Sequence, residues 1–293
     1  MGIMEYYPKK GHIWAKTDFF DLGATLECGQ FFRFVKESEG YWVLAGNRRV
    51  FISQNKDVVC FHDTSQTDFE NFWAHLFDFH RDYGTIIGDL AGRDPILEEA
   101  AAFAPGIRIM NQEPWETLVC FIISANNRIP MIMKVVDNIA SRFGPQTVCG
   151  RGRAMPGPEV LAKAGAEELM ACKTGFRAQY IINAAEKVLS SDEPFLVKDQ
   201  NLPALSTEEL RQRLIAIKGV GVKIADCVLL FSLGRREVFP IDVWIGRAMR
   251  RIYFGGAEAP LAEIQALAKE RFGEHAGYAN QLIFHYARMN KMQ

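Results

Sequence analysis

The chain has 293 residues, of which 48% are hydrophobic and 24% are charged, and its formal net charge is −1. This length can hold two or three subdomains around sizeable cores, and the near-zero charge excludes nucleic-acid binding through bulk positive charge. Its six cysteines show no Cys-x-x-Cys spacing, which argues against structural zinc and favours a reduced, intracellular protein.

The N-terminal part of the chain predicts an antiparallel sheet. Residues 1–16 contain neither a signal peptide nor a long apolar run, so we expect a docking arm there and neither secretion nor a membrane span. Short segments with strand composition follow, separated by Gly40 and by a Gly46-Asn47 turn. The predicted strands cover residues 31–35, 41–45, 50–54 and 58–61.

From residue 68 onward, helical periodicity dominates the sequence. The predicted helices cover residues 69–79, 96–103, 115–124, 129–143, 179–189, 207–217, 224–233, 243–253, 261–272 and 278–289. Residues 144–158 are rich in glycine, proline and arginine and predict a long loop. The pattern indicates an α+β fold, with an N-terminal domain over residues 1–110 and a helical domain over 111–293. Residues 254–293 and the N-terminal helices are expected to contribute to a second lobe.

The most informative segment joins two predicted helices through Gly219-Val220-Gly221. The glycines allow positive φ angles and remove bulk, so backbone amides from Val220 to Lys223 can approach a ligand at the start of the second helix. A DNA phosphate suits such a site, because helix N-termini bind phosphate without reading base sequence. An ordinary turn between packed helices is the alternative for an isolated Gly-Val-Gly.

This hairpin, with Lys223 at the predicted first position of the second helix and the Pro240-Ile241-Asp242 turn, resembles the helix-hairpin-helix superfamily of base-excision DNA glycosylases. Residues 26–33, Leu-Glu-Cys-Gly-Gln-Phe-Phe-Arg, are similar to the Gly-Gln-x-Phe-Arg element of its 8-oxoguanine DNA glycosylase family. The resemblance implies a small β domain packed on a two-lobed helical body, with DNA across the cleft and the lesion flipped inside. It also implies excision of 8-oxoguanine from duplex DNA with associated AP lyase activity.

Lys223 and Asp242, separated by 242 − 223 = 19 positions, are the expected catalytic pair. Lys223, at a helix start and partly desolvated, is predicted to present a neutral amine that attacks C1′ of the sugar. Asp242 is predicted to stabilise the developing positive charge, and it also suits the position of a helix cap. For Lys223 the alternatives are a solvated side chain or a phosphate contact.

The resemblance also implies a pocket for the flipped base. The carbonyl of Gly29 would accept a hydrogen bond from N7–H of 8-oxoguanine, which normal guanine lacks. Cys227 and Phe284 would sandwich the base, although a buried cysteine and a phenylalanine on an apolar stripe are usually packing residues. Asn280 stands where the family has glutamine, and Trp244 stands where relatives often carry histidine. Both departures affect how base and sugar would be held.

Residues of the DNA interface follow from the same resemblance. Asn126 would fill the gap left by the flipped base, although a helix C-cap formed by Asn126-Asn127 is the alternative. Arg177 would contact the estranged cytosine, while Met131 stands where a second such arginine is expected. We therefore expect weaker discrimination for cytosine opposite the lesion. Phosphate contacts are expected from the Gly219-Val220-Gly221 hairpin, from Lys223, from Arg247 and from arginine clusters at 151 and 153, 235 and 236, and 247, 250 and 251.

We expect no cofactor and no metal, because the iron–sulfur branch of the superfamily carries a cysteine cluster after the third helix of this motif that is missing here. The expected partner is duplex DNA containing 8-oxoguanine, bound by a monomer without contact to a membrane. The expected location is intracellular: nucleoid-associated in a bacterial host or nuclear in a eukaryotic one. Two other functions stay open. A monofunctional glycosylase for alkylated bases would keep Asp242 but lack the lysine, and a noncatalytic module would use the hairpin for backbone contacts alone.

Overall fold

The computed structural model describes residues 5–190 and 205–290. Contacts divide the chain into two compact units, and each is described separately. Unit 1 comprises Met1–Phe31, Phe51–Asn111 and Gly234–Gln293, and unit 2 comprises Phe32–Val50 and Gln112–Leu233. The domain boundary predicted between residues 110 and 111 stays a prediction.

The strands form one antiparallel sheet in the order β1-β2-β6-β5-β4-β3. They are β1 (Glu5–Lys9), β2 (His12–Lys16), β3 (Phe34–Lys36), β4 (Tyr41–Ala45), β5 (Arg48–Asn55) and β6 (Val58–Phe61). The predicted strands 41–45 and 58–61 are confirmed. The prediction of a docking arm is wrong over residues 5–16, which form a hairpin. Lys10 and Gly11 have φ angles of 54° and 79°, and two successive positive φ angles suit a tight hairpin turn.

The helices of unit 1 come between and after the strands in the chain. They are α1 (Leu22–Glu27), α2 (Gln66–Asp68), α3 (Ala74–Leu76), α4 (Tyr83–Arg93), α5 (Pro95–Phe103), α12 (Val243–Tyr253), α13 (Leu261–Phe272) and α14 (Ala276–Met289). The predicted helix 69–79 is wrong in type over part of its length, because Phe69–Trp73 is a π-helical turn. Helix α4 escaped prediction because its three glycines lower helix propensity.

The described helices of unit 2 include two that are buried along most of their length. The helices are α6 (Pro114–Ser124), α7 (Ile129–Phe143), α8 (Pro158–Ala171), α9 (Arg177–Ser190), α10 (Thr207–Ile215) and α11 (Val222–Phe231). Helix α6 begins at Pro114 behind a Glu113 cap, and its residues 115–123 are all buried, so it packs against α7, α9 and α11. Helix α8 was not predicted, since Gly165 breaks its helical pattern with a φ of 76°. The predicted long loop is confirmed over residues 144–157.

Buried aromatic side chains form much of the core of unit 1. Phe61, Phe69, Phe77 and Phe79 are fully buried, and Phe61 lies 5.1 Å from Phe69 and 5.9 Å from Phe77 between ring centroids. Such edge-to-face pairs add stability beyond the buried area. This aromatic cluster joins strand β6 to the segment of residues 69–79 that follows it.

Candidate functional site

The glycine hairpin of unit 2 is held by the ring of Tyr180. Gly219 has a φ of 96°, and a Cβ atom added to it would lie 2.3 Å from Cγ of Tyr180. The amide of Val220 donates to the carbonyl of Ile217 at 3.0 Å, and the Val220 side chain is buried. Glycine is therefore required at position 219 both by backbone conformation and by this close contact.

Two further contacts orient the helices on either side of the hairpin. Ser206 caps α10 through a capping box with Glu209. Nε of Arg211 on α10 donates to Oδ1 of Asp226 on α11 at 2.7 Å. Burial raises the pKa of Asp226, and the Arg211 guanidinium opposes that shift. Loss of this arginine would leave the carboxylate buried without its charge partner and would strongly destabilise the fold. The pair therefore fixes the position of α10 against α11.

Lys223 is the second residue of α11, one position later than predicted. Its side chain is half-buried, with Nζ 3.4 Å from Oγ of Ser124 and 5.0 Å from the centre of the Phe121 ring. Phe121 in turn stacks on Phe231 at 5.5 Å. The amine therefore lies on apolar aromatic surface with a hydroxyl as its neighbour. Sequence reasoning assigned no role to Ser124, although that residue stands two positions before Asn126.

Asn126 lies in a short loop after α6, the Asn126 loop (residues 125–127). Its φ is 50°, a left-handed conformation that asparagine tolerates better than most residues, and its side chain is exposed. The capping role falls to its neighbours: the amide of Ala125 donates to the carbonyl of Ile122, and Nδ2 of Asn127 donates to the carbonyl of Ile123 at 3.2 Å. Asn126 thus projects from a loop that its neighbours hold.

Arg177 fastens the Asn126 loop from the start of α9. Its Nε donates to the carbonyl of Ala125 at 2.9 Å, Nη2 to that of Asn126 at 3.0 Å, and Nη1 to that of Thr174 at 3.3 Å. Burial lowers the pKa of Arg177. The direct contact with cytosine predicted for this residue stays a prediction, since its donors here are bonded to backbone carbonyls.

Phe176 is a residue that sequence reasoning missed. Its ring is 60% exposed, and its centre lies 4.4 Å from the Arg177 guanidinium carbon. An exposed aromatic ring beside the Arg177 guanidinium can stack on a nucleic-acid base. The signal was present in the Gly175-Phe176-Arg177 segment, but solvent exposure of one aromatic residue cannot be derived from a short motif.

Unit 2 therefore brings several predicted residues together. Lys223 contacts Ser124 at the end of α6, the Asn126 loop follows directly, and Arg177 binds that loop. Tyr180, one turn along α9 from Arg177, contacts the hairpin glycine. Cys227 is buried, one turn after Lys223 on α11. Its predicted contact with a base stays a prediction.

Asp242 belongs to unit 1 and caps α12. Its Oδ1 accepts a hydrogen bond from the amide of Ile245 at 2.7 Å, so the predicted capping role is confirmed. Trp244 is 42% exposed, and Arg247 is exposed on the same helix. The approach of Asp242 to Lys223 and the substrate contacts of Trp244 and Arg247 stay predictions.

Gly29 follows Cys28, the C-cap of α1, and has a φ of 85°, a conformation that favours glycine. The next residue anchors it: the buried Gln30 side chain donates from Nε2 to the carbonyl of Arg108 at 2.7 Å. Oε1 of Gln30 accepts from the amide of Met110 at 2.9 Å. The Gln30 side chain thus binds the residue after Gly29 to the backbone of residues 108–110 within unit 1.

Helix α14 carries the remaining pocket candidates. Phe284 is half-buried, whereas Asn280 is only 3% exposed. Nδ2 of Asn280 donates to the carbonyl of Pro240 at 2.8 Å. The contact predicted between Asn280 and the base edge stays a prediction, because its amide donor is engaged by the protein backbone.

Arginines of the predicted clusters also serve the fold, among them Arg153, whose Nη1 donates to the carbonyl of Gly144 at 2.8 Å. Arg236 is buried and donates to Oδ1 of Asn111, and Arg250 donates from Nη2 to the carbonyl of Ala259 at 2.7 Å. Arg151, Arg247 and Arg251 are exposed. The phosphate contacts expected from these arginines stay predictions.

Across residues 5–190 and 205–290, no group of three or more histidine, cysteine, aspartate or glutamate side chains could hold a metal ion. Over the same part of the chain, every helix is too short or too polar to cross a membrane.

Comparison with known proteins gives consistent matches. Residues 13–118 match the 8-oxoguanine DNA glycosylase N-terminal domain, and residues 119–274 match the HhH-GPD superfamily base excision DNA repair protein model. A structure of MBOgg1 with a low-affinity DNA ligand is 40% identical, covers 99% of both chains and has a TM-score of 0.92.

The Clostridium acetobutylicum 8-oxoguanine glycosylase/lyase, solved with double-stranded DNA containing cytosine opposite 8-oxoguanine, is 33% identical. That match covers 99% of this chain and 98% of the other, with a TM-score of 0.89. An N-glycosylase/DNA lyase of Saccharomyces cerevisiae is 31% identical over 216 residues, which are 61% of this chain. The matched region spans only 56% of the length of that yeast relative.

Proposed function

Because the chain belongs to the HhH-GPD superfamily of base excision DNA repair proteins, we propose that it excises 8-oxoguanine from duplex DNA and then cleaves the strand. The observation that carries the proposal is the position of Lys223, half-buried at the start of the helix after the glycine hairpin. A glycosylase that only hydrolyses the base from its sugar has no need of an amine there. A noncatalytic module has no need to keep that amine on apolar surface.

Lys223 is the nucleophile of the proposed reaction. Its neutral amine attacks C1′, a carbon–nitrogen bond to Nζ forms, and the bond to the base breaks as the departing base takes up a proton. Loss of the sugar ring bond gives a Schiff base. Removal of a C2′ proton then expels the 3′ phosphate by β-elimination. The Phe121 ring and Ser124 hydroxyl beside Nζ limit the water around the amine and orient it.

Asp242 supplies negative charge where positive charge develops on the sugar and on the amine. A carboxylate placed in advance stabilises such a transition state without reorganisation. Since the amide of Ile245 holds Oδ1, the carboxylate has a fixed orientation. The capping contact and the catalytic role are therefore compatible.

The flipped base is recognised by the residues carried over from the family. Gly29 offers its carbonyl to N7–H, and Cys227 and Phe284 take the two faces of the base. Trp244 lies by the lesion sugar-phosphate, where its indole N–H can donate. The rigid Gln30 bridge beside Gly29 supports this assignment, because discrimination by a single acceptor needs a fixed carbonyl.

The duplex is held by the hairpin and by the Asn126 loop. The hairpin of Gly219, Val220 and Gly221 binds a phosphate through the amides of its two glycines and the backbone amide of Lys223, since the amide of Val220 donates to the carbonyl of Ile217. Arg247 adds a further phosphate contact. Asn126 fills the space left by the lesion, and Arg177 contacts the cytosine side once DNA is present. These contacts suit a monomer acting on intracellular DNA: in the nucleoid of a bacterium or the nucleus of a eukaryote.

A paired base-release assay tests the function. One labelled duplex carries 8-oxoguanine and a matched duplex carries guanine, both opposite cytosine. We expect release of 8-oxoguanine alone and near-complete loss of release in Lys223→Gln. Lys218→Gln, which changes an exposed lysine of the same segment, is the matched control and should retain release. Equal release from both duplexes, or full release by Lys223→Gln, would contradict the proposal.

A further inference from the structure

Helix α14 binds the segment before Asp242 at two points. The amide of Gly277 donates to the carbonyl of Arg236 at 2.8 Å. One turn later, Nδ2 of Asn280 donates to the carbonyl of Pro240 at 2.8 Å. Both contacts lie within unit 1, and Arg236, Pro240 and Asn280 are all buried. The chain entering α12 is therefore fastened at its start and at its end.

The second contact lies directly beside the carboxylate of the cap. Pro240 precedes Asp242 by two residues, so the orientation of the Pro240 carbonyl fixes the backbone that leads to Asp242. Asp242 then binds the first turn of α12 twice. Its Oδ1 accepts from the amide of Ile245, and its carbonyl accepts from the amide of Gly246 at 2.8 Å. Since one end of this turn is fixed by α12, the Asn280 amide determines the other.

The geometry of Asn280 also limits what else it can do. Its amide donor is engaged by Pro240, and its Oδ1 accepts from Nε2 of Gln281 at 3.3 Å. With 3% of the residue exposed, reading a base directly would require both bonds to be rearranged. A buried amide that loses its partner carries a large penalty, which favours retention of the bond to Pro240 throughout the reaction.

From these contacts we infer that Asn280 is a positioning residue: its amide holds the Pro240 carbonyl and thereby fixes the carboxylate of Asp242. This inference rests on the proposed function, because it assigns the charge of Asp242 a catalytic role. Selectivity for the oxidised base then depends on other residues, such as Gly29, and not on Asn280. Asn280 affects the rate of the chemical step instead.

An abasic substrate separates positioning from base reading, since it contains no base. In Asn280→Leu, we expect the single-turnover rate of 8-oxoguanine release and the rate of borohydride-trapped adduct formation on a preformed abasic duplex to fall together. Displacement of a catalytic group by about 1 Å costs about 100-fold, so we expect losses of about 10- to 100-fold in both rates. DNA affinity, measured by fluorescence anisotropy, should be unchanged. Asp242→Asn should show the same pattern with larger losses.

A matched control separates this effect from general loss of stability. Nδ2 of Asn138 also donates to a backbone carbonyl, that of Cys172 at 3.1 Å, but in unit 2 and on α7. Asn138→Leu should lower thermal stability and leave both rates intact. If Asn280→Leu does not fold, Asn280→Ser, whose hydroxyl is too short to reach Pro240, is measured in the same way.

The results that overturn the inference are distinct from those that overturn the proposed function. A loss confined to base release, with trapping on abasic DNA unaltered, would make Asn280 a base-contacting residue. Rates no lower than those of Asn138→Leu, or a loss of DNA affinity alone, would also overturn the positioning role. A wild-type protein that releases no base and forms no adduct would instead refute the proposed function.

Discussion

At the scale of single residues, the proposed catalytic side chains also make structural contacts, and these decide which substitutions are informative. Asp242 caps α12 through Oδ1. Asparagine at that position can still accept this hydrogen bond, because it is among the best capping residues. A loss of activity in Asp242→Asn with unchanged thermal stability therefore reports on the charge. Asp242→Ala would mix loss of charge with loss of the cap.

Met131 bears on the choice of the opposite base. It is 44% exposed on the first turn of α7, close in sequence to the Asn126 loop. In Met131→Arg, we expect the ratio of excision opposite cytosine to excision opposite adenine to rise by about 10-fold or more, because one bidentate arginine contact contributes about 1–3 kcal/mol of discrimination. Single-turnover rates opposite all four bases measure the ratio.

Met133→Arg is the matched control, since it adds the same charge two positions along the same helix, at a half-buried site. Its ratio should stay at the wild-type value. The interpretation would be contradicted if the wild-type protein already favoured cytosine by orders of magnitude, or if Met131→Arg left all four rates in their original proportion.

At the scale of elements, the hairpin depends on one glycine far more than on the other. In Gly219→Ala, the new methyl group would overlap the Tyr180 ring at 2.3 Å, and the φ of 96° would be strained. Left-handed strain costs about 1–2 kcal/mol and overpacking about 1–3 kcal/mol. We expect a melting temperature lower by roughly 5–10 °C, measured by circular dichroism, together with weaker DNA binding.

Gly221→Ala provides the comparison for stability. A Cβ atom at position 221 would meet no other atom within 4 Å, and the φ of Gly221 is −92°, which alanine adopts readily. Its melting temperature should match that of the wild type. Equal melting temperatures for the two variants would show that the contact between Gly219 and Tyr180 does not constrain the hairpin.

The elements also show what sequence patterns can and cannot predict. Helices 129–143, 243–253 and 261–272 match the structure to the residue, because their apolar periodicity is long and their ends carry clear signals. The hairpin of residues 5–16 and helix α8 were missed. Both elements contain a glycine with a positive φ, Gly11 in the hairpin and Gly165 in α8. The amino-acid composition of these segments does not specify those backbone conformations.

At the scale of the whole molecule, the predicted α+β class is confirmed: a six-stranded antiparallel sheet is followed by a mainly helical body. The candidate site was predicted from motifs, but the partners of its residues were not. Ser124 beside Lys223, Tyr180 beneath Gly219 and Pro240 bound to Asn280 all join residues distant in sequence. Such contacts arise only from tertiary packing, so no local pattern predicts them.

The candidate site residues belong to two different units, so the account is best tested at one atom, Nζ of Lys223. Lys223 belongs to unit 2, whereas Asp242, Gly29 and Phe284 belong to unit 1. The proposed function requires a covalent bond between Nζ of Lys223 and the sugar of the lesion. A measurement that identifies this bond therefore tests the account without assuming any distance between the units.

Borohydride reduction during turnover of an 8-oxoguanine duplex, followed by proteolysis and mass spectrometry, is that measurement. We expect a stable protein–DNA adduct whose cross-linked peptide carries the sugar on Lys223, formed also by Lys218→Gln and absent from Lys223→Gln. An adduct mapped to another residue, or base release with no adduct at any time, would contradict the assignment of Lys223 as the nucleophile.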